Sequence, residues 1–190
     1  MSHMMRDRTH LRQEILKMGG LVEAALRDAT RALVQREPTL ARRVIQKDGE
    51  VDAQELAVDD ECLKVLALNQ PVAGDLRFIT AVMKINNDLE RIGDLAANLA
   101  QRAVDLNELP ALGEPLRFEE MTEIARDMLR GSLDALVERD PRAAREVIDQ
   151  DDAVDAINRQ HFESIEAQMM RDPQLVPTGL LCVSASRHLE

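Results

Sequence analysis

Three observations predict an all-α chain built as two tandem three-helix bundles. Apolar residues recur at three-four spacing through long stretches, which is one buried face of a helix. Tryptophan and tyrosine are absent and phenylalanine is rare, while Leu, Ala, Val, Glu, Asp and Arg dominate, a composition of packed helices poor in strand formers. The third observation is a repeat. Ala32-Leu33-Val34-Gln35-Arg36-Glu37-Pro38 matches Ala135-Leu136-Val137-Glu138-Arg139-Asp140-Pro141. The lag of 103 residues holds without a gap through Val44-Ile45/Val147-Ile148, Asp48/Asp151 and Val51-Asp52-Ala53/Val154-Asp155-Ala156, the mark of a duplicated unit.

The first helix is predicted from about Thr9 to Gln35, on the seam Leu11, Ile15, Met18, Val22, Leu26, Ala29 and Leu33, interrupted only by Gly19-Gly20. Pro38 suits the first turn of a second helix, where its missing N–H would be unpaired anyway. That helix runs to about Leu68, and Val44, Val51, Val58 and Val65 recur every seventh residue as a seam facing other helices. After a loop at Asn69-Gln70-Pro71 to Gly74-Asp75, a third helix runs from about Leu76 to Val104 on Val82, Ile85, Leu89, Ile92, Ala96, Leu99 and Ala103. Gly93, Ala96, Ala97 and Ala100 are small enough to let another helix come close, which offsets the roughly 1 kcal/mol that a helical glycine costs against alanine.

Two prolines and a glycine make 107–115 a linker between a first bundle, 1–106, and a second, 116–190. The second bundle is predicted as a helix from about Leu116 to Arg139, a continuous helix from about Pro141 to Arg171, and a last helix beginning near Pro173 or Pro177. Arg187-His188-Leu189-Glu190 lines up with Asn87-Asp88-Leu89-Glu90 at a lag of 100. The sequence ends where Arg-Ile-Gly-Asp should follow. The last helix is therefore read as truncated to about half its counterpart, and exposed apolar surface is expected there.

A net charge of -11 argues against nucleic acid as the partner, because phosphate binding runs on clustered Lys and Arg. It suits cations or a basic protein surface. No apolar run approaches the length of a membrane span, and Arg6 and Arg8 precede no apolar block of the signal-peptide kind, so a cytoplasmic protein without direct membrane insertion is expected. Met1 to Met5 have the look of a cloning scar, and His3 carries no weight. Cys62 and Cys182 fall within helical patterns far apart in sequence and are expected as buried free thiols.

The chemistry lies in carboxylates. Asp48, Asp52, Glu55 and Asp59 are spaced four, three and four, a stripe beside the valine seam, and Asn87, Glu90 and Asp94 stack on one flank of the third helix. Two carboxylates about 4 Å apart repel by roughly 4 kcal/mol at an effective dielectric near 20. A cation would compensate. Oxygen-rich clusters at helical spacing suit Mg²⁺, Ca²⁺, Mn²⁺ or a carboxylate-bridged iron pair, and the repeat supplies Asp151, Asp155 and Glu190 as a second set. The plainer alternative is a solvated helix face balanced by Arg42, Arg43, Lys47 and Arg91. Duplication favours metal at Asp48, Asp52, Glu90 and Asp94, since Asp48 and Asp52 recur whereas Glu55 and Asp59 become Asn158 and Phe162.

His161 and His188 do not follow an acid in Glu-x-x-His spacing, which argues against a ferritin-like oxidase. No Gly-rich phosphate loop, Ser-His-Asp set or Cys-His pair is visible, so no enzyme is expected. A carboxylate-bridged metal-bundle enzyme and a purely structural helical rod remain the rival readings.

Asn-Asp-Leu-Glu-Arg-Ile-Gly-Asp at 87–94, preceded by Asp-x-x-x-Asp at 48–52 and echoed by Asp151, Asp155 and the final Arg-His-Leu-Glu, resembles the PhoU family of phosphate-transport regulators over nearly the whole chain. The resemblance implies two three-helix bundles whose acidic motifs bind metal ions or small clusters: iron, zinc, magnesium or manganese. It carries metal-binding roles to Asp48, Asp52, Glu90 and Asp94, and to Asp151, Asp155 and Glu190, although the second Glu-x-x-x-Asp lacks its Asp. It also implies a homodimeric adaptor that connects a phosphate importer's ATPase to a membrane sensor histidine kinase, holding the kinase in its repressing state when phosphate is plentiful.

Overall fold

The computed structural model describes residues 3–190, with side chains from Arg6 onward, so the side chains of Met1 to Met5 lie outside the described residues. Among the described residues seven α-helices follow one another: α1 (His3–Gln35), α2 (Pro38–Asn69), α3 (Ala73–Leu106), α4 (Phe118–Glu138), α5 (Pro141–Ile148), α6 (Asp151–Arg171) and α7 (Val176–Leu189). A single 3₁₀ turn, Pro173–Leu175, precedes α7, and no strand occurs among the described residues. The fold is all-α, as the periodicity predicts.

The duplication is visible in the two helical hairpins. Arg36 and Arg139, equivalent in the repeat, both adopt the left-handed conformation, with φ of 52° and 58°. In each turn the N–H two residues beyond the helix end reaches back to an orphan carbonyl, Glu37 N–H to Ala32 O and Asp140 N–H to Ala135 O, both at 2.9 Å. Proline then opens the next helix. The capping chemistry differs: the Asp140 carboxylate accepts from the N–H groups of Arg142 and Ala143 at 2.8 and 3.1 Å, whereas Glu37 makes no such bond.

α1, α2 and α3 pack pairwise into one bundle, and α4, α6 and α7 into another, with α5 lying on α4. The bundles sit side by side, α1 against α4 and α3 against α7. Their cores merge: Leu26 and Leu99 belong to the same buried cluster as Phe118, Ile165 and Cys182. A buried Thr30–Thr122 hydrogen bond of 2.8 Å crosses between α1 and α4. Nearby, Glu23 accepts from Arg130 and Arg126, and these guanidiniums, Arg130 foremost, hold its carboxyl down at about 2. Cys62 and Cys182 are buried free thiols, pushed up to about 12 and about 11 by burial.

One expectation is corrected. The helix predicted to run unbroken from Pro141 to Arg171 is interrupted by a turn at Asp149-Gln150, where the equivalent stretch of α2 stays helical. The reason is packing. The start of α2 lies under α3, which supplies Leu99, Ala100, Ala103 and Leu106 to one buried cluster with Leu40, Ala41 and Val44. α7 is only 14 residues long, so α5 lacks that cover and Ile148 is 69% exposed. The apolar surface expected at this end is present as a groove of about 1220 Å³.

Candidate metal centre

The valine seam of α2 is buried against α1 and α3: Val44, Val51, Val58 and Val65 are all inaccessible or nearly so. This fixes the rotation of α2 and brings its acidic stripe up beside α3. Close approach depends on Gly93, whose hydrogen faces Val51; a Cβ there would lie 2.8 Å from Val51 Cγ1. Glu90 and Asp94, each the residue after a buried one of α3 (Leu89 and Gly93) and so on one flank of it, therefore meet α2 at its acidic edge.

Asp52, Glu90 and Asp94 converge, each offering a carboxylate oxygen within 4.8 Å of the others. Asp52 and Asp94 are exposed and Glu90 is half-buried. Asp48 stands at the edge of this trio. Burial raises its pKa first, followed by the charges of Asp52 and Asp94. Glu90 is raised by burial and then by Asp94, Asp52, Glu55 and Asp48 in turn; Glu55 is raised by burial, Asp59 and Asp52. No Lys or Arg forms an ion pair with Asp48, Asp52, Glu55, Glu90 or Asp94 among the described residues. Arg42, Arg43, Lys47 and Arg91, offered by the sequence as counterions, are not so used. A hard-oxygen donor set without a counterion is chemically suited to a divalent or trivalent cation, with Asp52, Glu90 and Asp94 as the holding residues.

The second set is arranged differently. Asp151 is exposed in the first turn of α6, and Asp155 pairs at 3.9 Å with Arg159, its i+4 neighbour on that helix. Glu190 accepts a hydrogen bond from Asn158 Nδ2. Asp151, Asp155 and Glu190 do not come together as a donor group among the described residues.

Sequence reading missed the buried polar residues beside both sets. Asn86 is fully buried and donates to Glu55 O at 2.9 Å and Asp59 Oδ1 at 3.3 Å; its Oδ1 has no partner among the described residues. Ser186, its counterpart at a lag of 100, donates to Asn158 Oδ1 at 2.7 Å. His161 lies next in that chain. Its Nε2 accepts from the Arg117 backbone N–H at 2.9 Å, so its proton sits on Nδ1, 2.9 Å from Ser186 Oγ. Burial and the Arg117 charge push this imidazole down to about 4, which keeps it neutral at pH 7. The signal was present in both halves: Val82-Asn86-Leu89 and Cys182-Ser186-Leu189 each set a polar residue on the apolar seam.

A duplicated all-helical bundle that carries a surface carboxylate trio defines the class of protein as a two-repeat helical bundle. The PhoU domain family model matches residues 15–103 and 118–190, and the chain belongs to the PhoU family. It is 35% identical over 179 residues to the phosphate-specific transport system accessory protein PhoU homolog of Aquifex aeolicus, covering 94% of this chain and 81% of the relative. To the Pseudomonas putida homolog of the same description it is 37% identical over 184 residues, covering 95% and 71%. Among solved structures, PhoU from Pseudomonas aeruginosa superposes with a TM-score of 0.90 at 33% identity, covering 97% of this chain and 88% of that one. The phosphate transport system regulatory protein PhoU from Streptococcus pneumoniae gives 0.89 at 26% identity, covering 99% and 88%. The Aquifex aeolicus and Pseudomonas putida relatives are named accessory proteins and the Streptococcus pneumoniae one a regulatory protein.

Proposed function

We propose that this chain is a cytoplasmic, homodimeric accessory regulator of phosphate-specific transport, with 1–106 and 116–190 as bundle units joined by 107–115. It represses the phosphate regulon and limits uptake by contacting the importer's ATPase and the sensor histidine kinase. The observation that carries this reading is the family match over both repeats. A surface of -11 net charge suits work by contact with basic partner surfaces. The first-half trio gives the surface a variable charge: a cation held by Asp52, Glu90 and Asp94, with Asp48 beside them, neutralises a local concentration of carboxylates and alters the potential met by a partner. Asp151, Asp155 and Glu190 do not converge among the described residues, so the cation role is proposed for the first half alone.

The test is affinity capture of the tagged protein from cells grown in high and low phosphate, with mass spectrometry of what is retained. Recovery of the importer ATPase or the sensor kinase, enriched in one phosphate condition, supports the adaptor. Recovery of neither in either condition overturns it. For the cation, calorimetry that gives the same partner affinity with metal as with chelator would remove it from the mechanism.

A further inference from the structure

In a chain of -11 net charge, three guanidiniums gather around one aromatic ring. Phe78 is buried in the second turn of α3. Arg139 Cζ lies 5.2 Å from its centroid, and the Cζ atoms of Arg8 and Arg12 each lie 5.8 Å from it. Arg8 and Arg12 stand one turn apart on α1, and Arg139 comes from the turn between α4 and α5. The ring attracts each cation without cancelling their mutual repulsion. Among the described residues a single carboxylate is within ion-pair reach: Asp75 Oδ1 takes Arg8 Nη1 at 3.1 Å and Arg139 Nη2 at 3.6 Å, and none pairs with Arg12. The acids next in sequence are engaged elsewhere, Asp7 accepting from Asn69 Nδ2 at 2.8 Å and Asp140 capping α5. Two further observations call for an anionic acceptor. The Nε atoms of Arg8 and Arg12 are buried without a hydrogen-bond partner among the described residues, which is costly for a charged donor. α3 also begins here with no side chain capping it, and Arg139 Nη1 lies 4.0 Å from where a Cβ on Gly74 would stand. Orphan N–H groups and the positive end of the helix thus lie beside the same cluster.

We propose that Arg8, Arg12, Arg139 and the α3 N-terminus form a binding site for a phosphate dianion, free or as the terminal group of a small organic monoester. Three guanidiniums against one carboxylate leave a surplus of two positive charges, which matches the charge of about -1.5 to -2 that a phosphate monoester carries at pH 7. A carboxylate ligand would bring one charge and two oxygens. A phosphate brings enough oxygens to meet guanidinium forks arriving from two elements and the N–H groups of a third. The site is separate from the acidic trio and takes the opposite charge: Asp75 and Glu90 are 15 residues apart on α3, about 22 Å along the helix.

The probe is inorganic phosphate, titrated calorimetrically into the full chain at neutral pH, in chelator and at constant ionic strength. Saturable one-to-one binding is expected, weakened at least about tenfold by Arg12→Gln and restored in part by Arg12→Lys, which returns the charge without the fork. Asp75→Asn should tighten binding severalfold, because the competing carboxylate is gone. Circular dichroism checks the fold of each variant, and Arg139→Gln, at an exposed turn, stands in for Arg12→Gln if that chain does not fold. Glycerol 3-phosphate in the same titration separates the sources. Tighter binding than inorganic phosphate, with the same dependence on Arg12, supports a monoester ligand, and weaker binding supports the free ion. Absence of saturable binding by both overturns the proposal, as does equal binding of acetate, binding unmoved by Arg12→Gln, or a loss of affinity in Asp75→Asn.

Discussion

The two halves place the same carboxylates at the same helical positions and do opposite things with them. In the first, Asp52, Glu90 and Asp94 converge beside Asp48 and Glu55 with no cationic side chain engaged. In the second, Asp155 faces Arg159, and Glu190 is held by Asn158, the residue that stands where the first half has Glu55. Two substitutions, Glu55 to Asn158 and Leu56 to Arg159, convert accumulated charge into compensated charge. Spacing alone thus makes a candidate cation site, and neighbours decide whether its charge is left for an ion. A charge-rich surface retained in only one of two repeats also gives the molecule a polarity that a partner can read.

The largest effect should come from the backbone approach that assembles the first site. Gly93→Leu drives a side chain into Val51 and should cost about 3 kcal/mol, at the upper end of overpacking penalties, read as a lower urea midpoint at unchanged slope. Unaltered stability would mean that α3 need not come so close. Next is the cation. Mn²⁺ or Zn²⁺ at about a hundredfold over its dissociation constant should stabilise the chain by about 2.7 kcal/mol, measured as a melting shift reversed by chelator. Glu90→Gln with Asp94→Asn should abolish that shift, while Asp151→Asn with Asp155→Asn leaves it in place. The same shift in all variants would dissolve the distinction between the halves.

Equivalent positions should then respond with opposite sign. Asn158 is buried and satisfies both Ser186 and Glu190, so Asn158→Ala should cost about 2 kcal/mol by leaving polar groups unpaired. Glu55 sits among like charges, so Glu55→Ala in chelator should stabilise by a few tenths of a kcal/mol, the usual scale for like-charge relief on a helix. Denaturant unfolding of the two single variants makes the comparison, and a loss in both would count against uncompensated charge at the first site.

The spacing of Asp52, Glu90 and Asp94, and the small residues behind them, made the first site legible, because helix periodicity and one close approach suffice to place all three. The two proline-opened hairpins were legible too, from the repeated Arg-acid-Pro. The turn at Asp149-Gln150 was not. Residues 46–47 and 149–150 occupy equivalent places in two similar sequences, and what separates their fates is whether a third helix covers the apolar face of the helix that carries them, a tertiary fact that no local propensity records. The Asn158–Ser186–His161 chain was hidden for a related reason. A polar residue on an apolar seam announces that it is buried, but its partners come from other helices and a linker.

The smallest expected effect is the most discriminating, since pH acts on both kinds of carboxylate in one sample. Asp48, Glu55 and Glu90 are raised in the folded chain, so in chelator the native state binds more protons than the unfolded state, and stability should rise as pH falls from 7 toward about 5. Glu23 works the other way. Held down at about 2 by Arg130 and Arg126, it contributes stability that is fully present above its unfolded value of about 4.5 and lost as pH falls toward 2. An unfolding series in chelator should therefore rise and then fall with acid. Glu90→Gln should flatten the rise alone, and Glu23→Gln should lessen the fall alone, because one group sits in the acidic trio and the other in the α1–α4 ion pair. A rise that survives Glu90→Gln unchanged would show that Glu90 contributes nothing to it.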